Sequence, residues 1–135
     1  MTEKIFIGGS KTIRELSPAM KSALIRVRNE KMSVLVGDCF GADRLIQEYL
    51  LKLCHKDVTV FASGERVRNN VGSFDVRHIE AVGKTGFEFY RQKDIAMADE
   101  ADVALMFWDG RTRGTLCNIR DMEERGKLVG VIVRG

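Results

Sequence analysis

The sequence has no apolar run that approaches the roughly 20 residues needed to span a bilayer. It also lacks the apolar core of a signal peptide, because residues 1–4 lead directly into a short strand pattern. Its three cysteines, Cys39, Cys54 and Cys117, form no C-x-x-C pair, and their odd number suits a reducing compartment. We therefore expect a cytoplasmic protein with no membrane partner.

A large excess of charge of one sign is also missing. The 22 lysines and arginines stand against 19 aspartates and glutamates, which gives a formal net charge of +3. This balance does not favour a nucleic-acid-binding protein, and no stretch of sequence interleaves basic and aromatic residues. We therefore do not expect nucleic acid as a partner. His55 and His78 have no partners at metal-ligand spacing, so no metal site is predicted.

Two common nucleotide-binding motifs are absent. The chain contains neither the G-x-G-x-x-G fingerprint of dinucleotide-binding folds nor the G-x-x-x-x-G-K-[ST] phosphate loop. Their absence argues against an ordinary dehydrogenase and against an ATPase.

Short β-branched runs alternate with segments of helical period. Strands are predicted at 4–7, 33–36, 58–61, 103–107 and 129–133, with helices between most of them. The strands are continuously apolar, which indicates that both faces of the sheet are covered. The alternation of strands and helices predicts parallel pairing. We expect one domain over residues 1–135, a Rossmann-like, doubly wound α/β fold with a mainly parallel five-stranded sheet in the order 3-2-1-4-5.

The segment from about 62 to 88 lacks a sustained period, and we predict that it is a long loop insertion. It follows the third predicted strand and so begins at the sheet edge where ligands bind in such folds. Arg68 and Asn69 are candidate contacts to a phosphate or a base. The alternative for these residues is a solvated surface loop.

Three glycine-rich loops follow predicted strands and precede helices. Glycine allows close approach of a ligand to the backbone, and the free amides of a helix N-terminus attract an anion. Arg111 and Arg113 add positive charge beside the amides of the third loop. The candidate ligand-binding residues of these loops are Gly9, Ser10, Lys11, Gly37, Asp38, Gly41, Ala42, Asp43, Asp109, Gly110, Arg111, Arg113, Gly114 and Thr115.

Each of these loops also has a purely structural interpretation. Any doubly wound protein uses glycines where strands turn into helices, Asp43 suits the first turn of a helix, and Asp109 can order its own turn. Trp108 could stack on a base or complete the core. Asp38 is the remaining candidate for a ribose hydroxyl contact or a proton transfer, and it is the one weak candidate for a catalytic residue.

The third loop carries a resemblance to a known family. The run Phe107-Trp108-Asp109-Gly110-Arg111-Thr112-Arg113-Gly114-Thr115, with Ile119 and Gly126-Lys127, resembles the closing motif of the YspA-type SLOG family, in the SMF/DprA–LOG superfamily. The run 36–45 resembles the second loop of that family, and Gly9-Ser10 resembles the first. The run 93–102 resembles its helix before the fourth strand.

The resemblance implies a Rossmann-like fold that binds nucleotides or nucleotide-derived molecules. The related Lonely Guy phosphoribohydrolases carry a P-G-G-x-G-T-x-x-E loop, and Asn118 stands here in place of its glutamate. Asparagine can contact a ribose hydroxyl, but it cannot act as a carboxylate base. Lys93 falls where those enzymes have an arginine, and it lacks the bidentate fork of a guanidinium. The resemblance adds Lys93 and Asn118 to the candidate ligand-binding residues.

Three functions follow from these observations. The first is a sensor or sequestering module for a nucleotide-type ligand, with no other cofactor, acting as a homodimer or larger homo-oligomer. The second is an enzyme that cleaves or transfers at an N-glycosidic bond. The third is a nucleic-acid-binding module.

Overall fold

The computed structural model of the chain describes residues 2–134, which form six strands and four helices. The strands are β1 (Lys4–Gly9), β2 (Ser33–Gly37), β3 (Val58–Ser63), β4 (Asp75–Ile79), β5 (Val103–Trp108) and β6 (Leu128–Val133). The helices are α1 (Pro18–Asn29), α2 (Ala42–Lys52), α3 (Gly86–Glu100) and α4 (Arg113–Glu124).

The six strands form one parallel sheet in the order β4-β3-β2-β1-β5-β6. The central strand β1 pairs with β2 on one side and β5 on the other, in a register that sets Ile7 beside Val36 and Leu105. The chain reverses its direction of progress across the sheet at β1. In such sheets, ligands bind beyond the carboxyl ends of the strands at this point.

Alternate residues of β1 enter two separate apolar layers. Ile5 and Ile7 belong to a core cluster that includes Met20 of α1 and Ile46 of α2. Phe6 belongs to a second cluster that includes Met97 of α3 and other residues of α3, α4 and β5. Helices therefore cover both faces of the sheet, as the continuous apolar strands predicted.

The prediction of five strands is wrong, because β4 extends the sheet beyond β3. This strand lies in the segment that was expected to be a loop, and α3 also begins there, at Gly86. The strand escapes prediction because it is a half-exposed edge strand whose sequence, Asp75-Val76-Arg77-His78-Ile79, has only two apolar residues. The long insertion therefore contains regular structure.

The helix boundaries follow local signals. Ser17 precedes α1 and its hydroxyl accepts a hydrogen bond from the backbone of Met20 at 3.3 Å. Helix α4 begins at Arg113, and Gly126 beyond its end has a φ of 68°. Between residues 2 and 134, no helix has the length and apolar character required to cross a membrane.

Candidate functional site

A cavity of about 580 Å³ lies beyond the carboxyl ends of the central strands. Its volume falls within the usual range for sites that hold small ligands. We call its two sides the loop wall, formed by residues 8–11, 39–43 and 112–118, and the α3 wall, formed by Arg68 and residues 86–97. The lining residues are Phe6, Gly8, Gly9, Lys11, Cys39, Phe40, Asp43, Arg68, Gly86, Phe87, Tyr90, Lys93, Asp94, Met97, Thr112, Arg113, Gly114, Thr115 and Asn118.

A network around Ser10 joins two loops of the loop wall. The fully buried Ser10 hydroxyl accepts a hydrogen bond from the Asp109 backbone at 3.0 Å and donates one to the Thr112 hydroxyl at 2.5 Å, because the single proton of Thr112 goes to the Asp109 carboxylate. The Asp109 carboxylate accepts hydrogen bonds from the Arg111 and Thr112 backbones and from the hydroxyls of Thr112 and Thr12. Hydrogen bonds from the two threonine side chains hold the pKa of Asp109 well below its ordinary value. Asp109 therefore orders its own turn as an anion.

The first turn of α4 supplies an anion-binding feature to the loop wall. Arg113, Gly114 and Thr115 line the cavity, and the backbone amides of a first helical turn have no acceptor within their own helix. A Cβ atom added at Gly114 would meet nothing within 4 Å, so the backbone is open on this side. These amides, the helix dipole and the Arg113 guanidinium together favour a phosphate or a similar anion.

Glycine is required at two other positions because the loops approach each other closely. A Cβ atom at Gly9 would lie 2.3 Å from the carbonyl oxygen of Phe107. Gly41 has a φ of 71°, and its Cβ atom would lie 2.3 Å from the carbonyl oxygen of Lys11. These two glycines therefore bring the three loops into contact.

The floor of the cavity holds a cluster of buried charges. The Lys93 ammonium donates a hydrogen bond to the Asp94 carboxylate at 2.8 Å, and a carboxylate oxygen of Asp43 accepts one from the Cys39 backbone at 3.1 Å. Burial raises the pKa of Asp43 to about 7, and the positive charge of Lys93 opposes that rise. Burial alone would lower the pKa of Lys93, but the charges of Asp94 and Asp43 raise it overall. Lys93 therefore stays cationic beside the ligand volume.

Asp38 positions Arg68 in the α3 wall. The Asp38 carboxylate accepts hydrogen bonds from the Arg68 backbone at 2.9 Å and from its guanidinium at 2.7 Å. The side chain of Asn69 donates to the Asp38 carbonyl at 3.1 Å, and Asn69 is buried. Neither Asp38 nor Asn69 lines the cavity, so both support the residue that does.

Three partly exposed aromatic residues line the cavity together with its cationic side chains. Tyr90 is 43% exposed, with the Arg68 guanidinium 4.1 Å from its ring centroid. Phe87 is 36% exposed, and the Arg113 guanidinium lies 4.1 Å from its ring centroid. Phe40, in the loop wall beside Lys11, is 58% exposed. Aromatic rings and cations therefore line the same cavity, and two of the rings are in direct contact with guanidinium groups.

Nine of the eighteen ligand-binding residues predicted from sequence line the cavity. They are Gly9, Lys11, Asp43, Arg68, Lys93, Arg113, Gly114, Thr115 and Asn118. The other nine lie behind or beside the lining and are Ser10, Gly37, Asp38, Gly41, Ala42, Asn69, Asp109, Gly110 and Arg111. A role in ligand binding remains a prediction for all eighteen.

Sequence reasoning missed the three aromatic residues and Asp94. The available signal was the spacing of Phe87 and Tyr90, which places both on one side of the first turns of a helix. Trp108, the aromatic residue that was considered for base stacking, is half-buried against the second core cluster, and its indole donates to the Thr112 carbonyl at 3.1 Å.

Asn118 carries a polar atom without a partner at the cavity. The side chain is 6% exposed, and among the described residues nothing donates a hydrogen bond to its Oδ1 atom. Buried polar atoms in folded proteins normally have partners. A ligand hydroxyl or amino group would satisfy this one.

Comparisons with known proteins show the fold. No family model matches the chain, and no curated protein matches it in sequence. A solved structure of DNA processing protein A from Helicobacter pylori matches with a TM-score of 0.68 and 14% sequence identity. The match covers 98% of this chain and 66% of that protein. It shows a shared α/β fold and does not distinguish the YspA-type family from its relatives.

This neighbour corrects one expectation. That solved structure concerns the way in which DNA processing protein A binds single-stranded DNA. The mild net charge was therefore a wrong reason to dismiss nucleic acid as a partner. The second reason, the lack of interleaved basic and aromatic residues, also fails, because the fold brings such residues together from separate segments.

Proposed function

We propose that this protein binds single-stranded DNA at the cavity, with one nucleotide unit between the loop wall and the α3 wall. The observation that carries the proposal is that three aromatic residues and three cations line one cavity, namely Phe40, Phe87 and Tyr90 with Lys11, Arg68 and Arg113. Proteins that bind single strands combine cations along the backbone with aromatic rings on which bases stack. The shared fold with a single-stranded DNA-binding protein supports the same function.

The parts of the site divide between phosphate and base. The first turn of α4 and Arg113 suit a phosphate, through charge-assisted hydrogen bonds from amides and a guanidinium. Tyr90 and Phe87 are partly exposed with a guanidinium over one face of each ring, so a base would stack on the remaining ring surface or on the guanidinium plane. The Asn118 side chain suits a sugar hydroxyl or a base edge. Stacking does not depend on base identity, so we expect little sequence preference.

The test is fluorescence anisotropy with a labelled thymidine octamer over a series of salt concentrations. Arg113→Ala should weaken binding about tenfold, as expected for a lost hydrogen bond to a charged group. Tyr90→Leu removes the ring but keeps apolar bulk, and it should weaken binding about fivefold or more, whereas Tyr90→Phe should bind like the wild type. The slope of the logarithm of the binding constant against the logarithm of salt concentration should become shallower by about 0.7 for each lost phosphate contact.

The matched control is Arg120→Ala. Arg120 lies on the same helix as Arg113, is likewise exposed and does not line the cavity, so the two variants lose equal charge. Equal affinities for Arg113→Ala and Arg120→Ala would contradict the proposed site. Absence of octamer binding by the wild-type protein would contradict the proposed function itself.

A second candidate is the binding of a free mononucleotide. It is favoured by the cavity volume of about 580 Å³, which suits one small ligand, and by the unpartnered oxygen of Asn118. Titration calorimetry with thymidine monophosphate separates the two candidates. A mononucleotide that binds as tightly as the octamer would favour this second function over the first.

A further inference from the structure

A second depression adjoins the cavity on the side of the loop wall. Its volume is about 850 Å³, and it is open to solvent between the loop after β1 and the first turns of α2. Lys11 and Phe40 line both depressions, so together they form the ridge that separates them. We call the second depression the outer groove.

The ridge is a fixed feature of the fold. Gly41 follows Phe40, and its missing side chain allows its backbone to lie against the backbone of Lys11. The amide of Ala42 also donates to the Ser10 carbonyl at 3.2 Å. These contacts hold Phe40 beside Lys11, and Phe40 is 58% exposed.

The outer groove has an excess of positive charge. Lys11, Arg14 and Arg44 line it against one acidic residue, Glu48. Arg44 pairs with Glu48 at 3.0 Å on the exposed face of α2, where such a pair has little energetic value in water. A phosphate can therefore compete with Glu48 for the Arg44 guanidinium at low cost.

We infer that a bound single strand leaves the cavity over Phe40 and continues along the outer groove, with Phe40 stacking on a base and Arg14 and Arg44 contacting phosphates. This inference rests on the proposed function and adds the path that the strand follows outside the cavity. The continuity of the two depressions and the shared residues Lys11 and Phe40 support this path. A base on the exposed Phe40 ring would sit between two phosphate sites, as in other single-strand grooves.

The test compares a 5′-phosphorylated thymidine dinucleotide with a thymidine octamer, both measured by fluorescence anisotropy. The wild type should bind the octamer at least tenfold more tightly than the dinucleotide. Phe40→Leu should remove much of this advantage, since a stacked base contributes a severalfold gain in affinity. Arg44→Ala should weaken octamer binding more than dinucleotide binding and lower the salt slope for the octamer by about 0.7.

Arg26→Ala is the matched control for Arg44→Ala. Arg26 also pairs with a glutamate four residues later on an exposed helix face, with Arg26 to Glu30 at 4.0 Å, and it lies outside both depressions. The path is overturned, while the cavity assignment stands, if the octamer binds no more tightly than the dinucleotide. It is also overturned if Arg44→Ala binds the octamer as Arg26→Ala does and Phe40→Leu binds it as the wild type does. If the wild type binds neither oligomer, the proposed function fails, and the path with it.

Discussion

The loop wall and the α3 wall of the cavity are held by different kinds of contact. The loop wall depends on short hydrogen bonds around Ser10 and on glycines that allow backbones to touch. The α3 wall depends on the Asp38–Arg68 ion pair and on guanidinium groups that face aromatic rings. The first kind of contact fixes backbone positions, whereas the second fixes long side chains. We therefore expect damage to the two walls to have different effects.

The largest effect is expected from Asp38→Ala, which breaks the ion pair of the α3 wall. Asp38 is buried and Arg68 is largely buried, so the substitution leaves a guanidinium without its partner in a poorly solvated place. The free energy of unfolding, measured by urea denaturation, should fall by about 3 kcal/mol. Octamer affinity should fall as well, because Arg68 is no longer held against Tyr90.

The control for this change is Asp99→Ala. Asp99 pairs with Arg125 at the same 2.7 Å separation, but its side chain is 63% exposed. Its loss should cost less than about 1 kcal/mol. Similar costs for the two variants would show that burial of the Asp38–Arg68 pair does not stabilise the α3 wall.

Much of the loop wall could be predicted from sequence because its determinants are local. Each glycine loop directly follows an apolar strand, and parallel strands bring their carboxyl ends to one edge. Gly9, Lys11, Arg113, Gly114 and Thr115 line the cavity for this reason. The same local logic predicted the five apolar strands and their parallel pairing.

In the α3 wall, Arg68 and Lys93 were predicted from sequence, but the aromatic residues were not, because the contacts that make them part of the site are distant in sequence. Arg68 contacts Tyr90, although a turn, the strand β4 and the start of α3 separate them in the sequence. Phe87 of α3 contacts Arg113 of α4. The sequence of β4 is polar enough to resemble a loop. Because the strand was not predicted, the position of α3, which follows it, could not be predicted either. The aromatic rings and the guanidinium groups therefore come together only in the folded protein.

In the loop wall, Gly41→Ala should cost about 2 kcal/mol or more of unfolding free energy. The φ of 71° is strained for alanine, and the new Cβ atom would overlap the backbone of Lys11. Gly126→Ala is the control, because Gly126 has a similar φ of 68° and no atom within 4 Å of the added Cβ. The difference between the two variants measures the close approach together with the strain of the ψ of −126° at Gly41, and equal costs would contradict that close approach.

The floor between the walls should make stability depend on pH through Asp43. The pKa of Asp43 is raised by burial from 3.8 to about 7, so the folded protein retains a proton that the unfolded chain loses. Stability from this group therefore falls as pH rises from about 4 to 7, and the effect can reach the order of 2 kcal/mol. Lys93, Asp94 and Asp38 supply the neighbouring charges.

Asp43→Asn removes this titration and still offers an oxygen to the Cys39 amide. Relative to the wild type, the variant should gain thermal stability at pH 8 and gain less, or lose stability, at pH 5. Melting temperatures measured by circular dichroism across this range test the sign. A difference between variant and wild type that does not change with pH would exclude Asp43 as the titrating group.

The smallest effect is expected from Ser10→Ala, which removes the hydroxyl that joins two loops of the loop wall. The Asp109 amide would lose an acceptor and the Thr112 hydroxyl would lose a donor, but Asp109 still accepts hydrogen bonds from Thr112 and Thr12 and preserves its own turn. Unfolding free energy should therefore fall by only about 1 kcal/mol. A loss as large as that of Asp38→Ala would mean that hydrogen bonds, rather than close glycine contacts, hold the loop wall together.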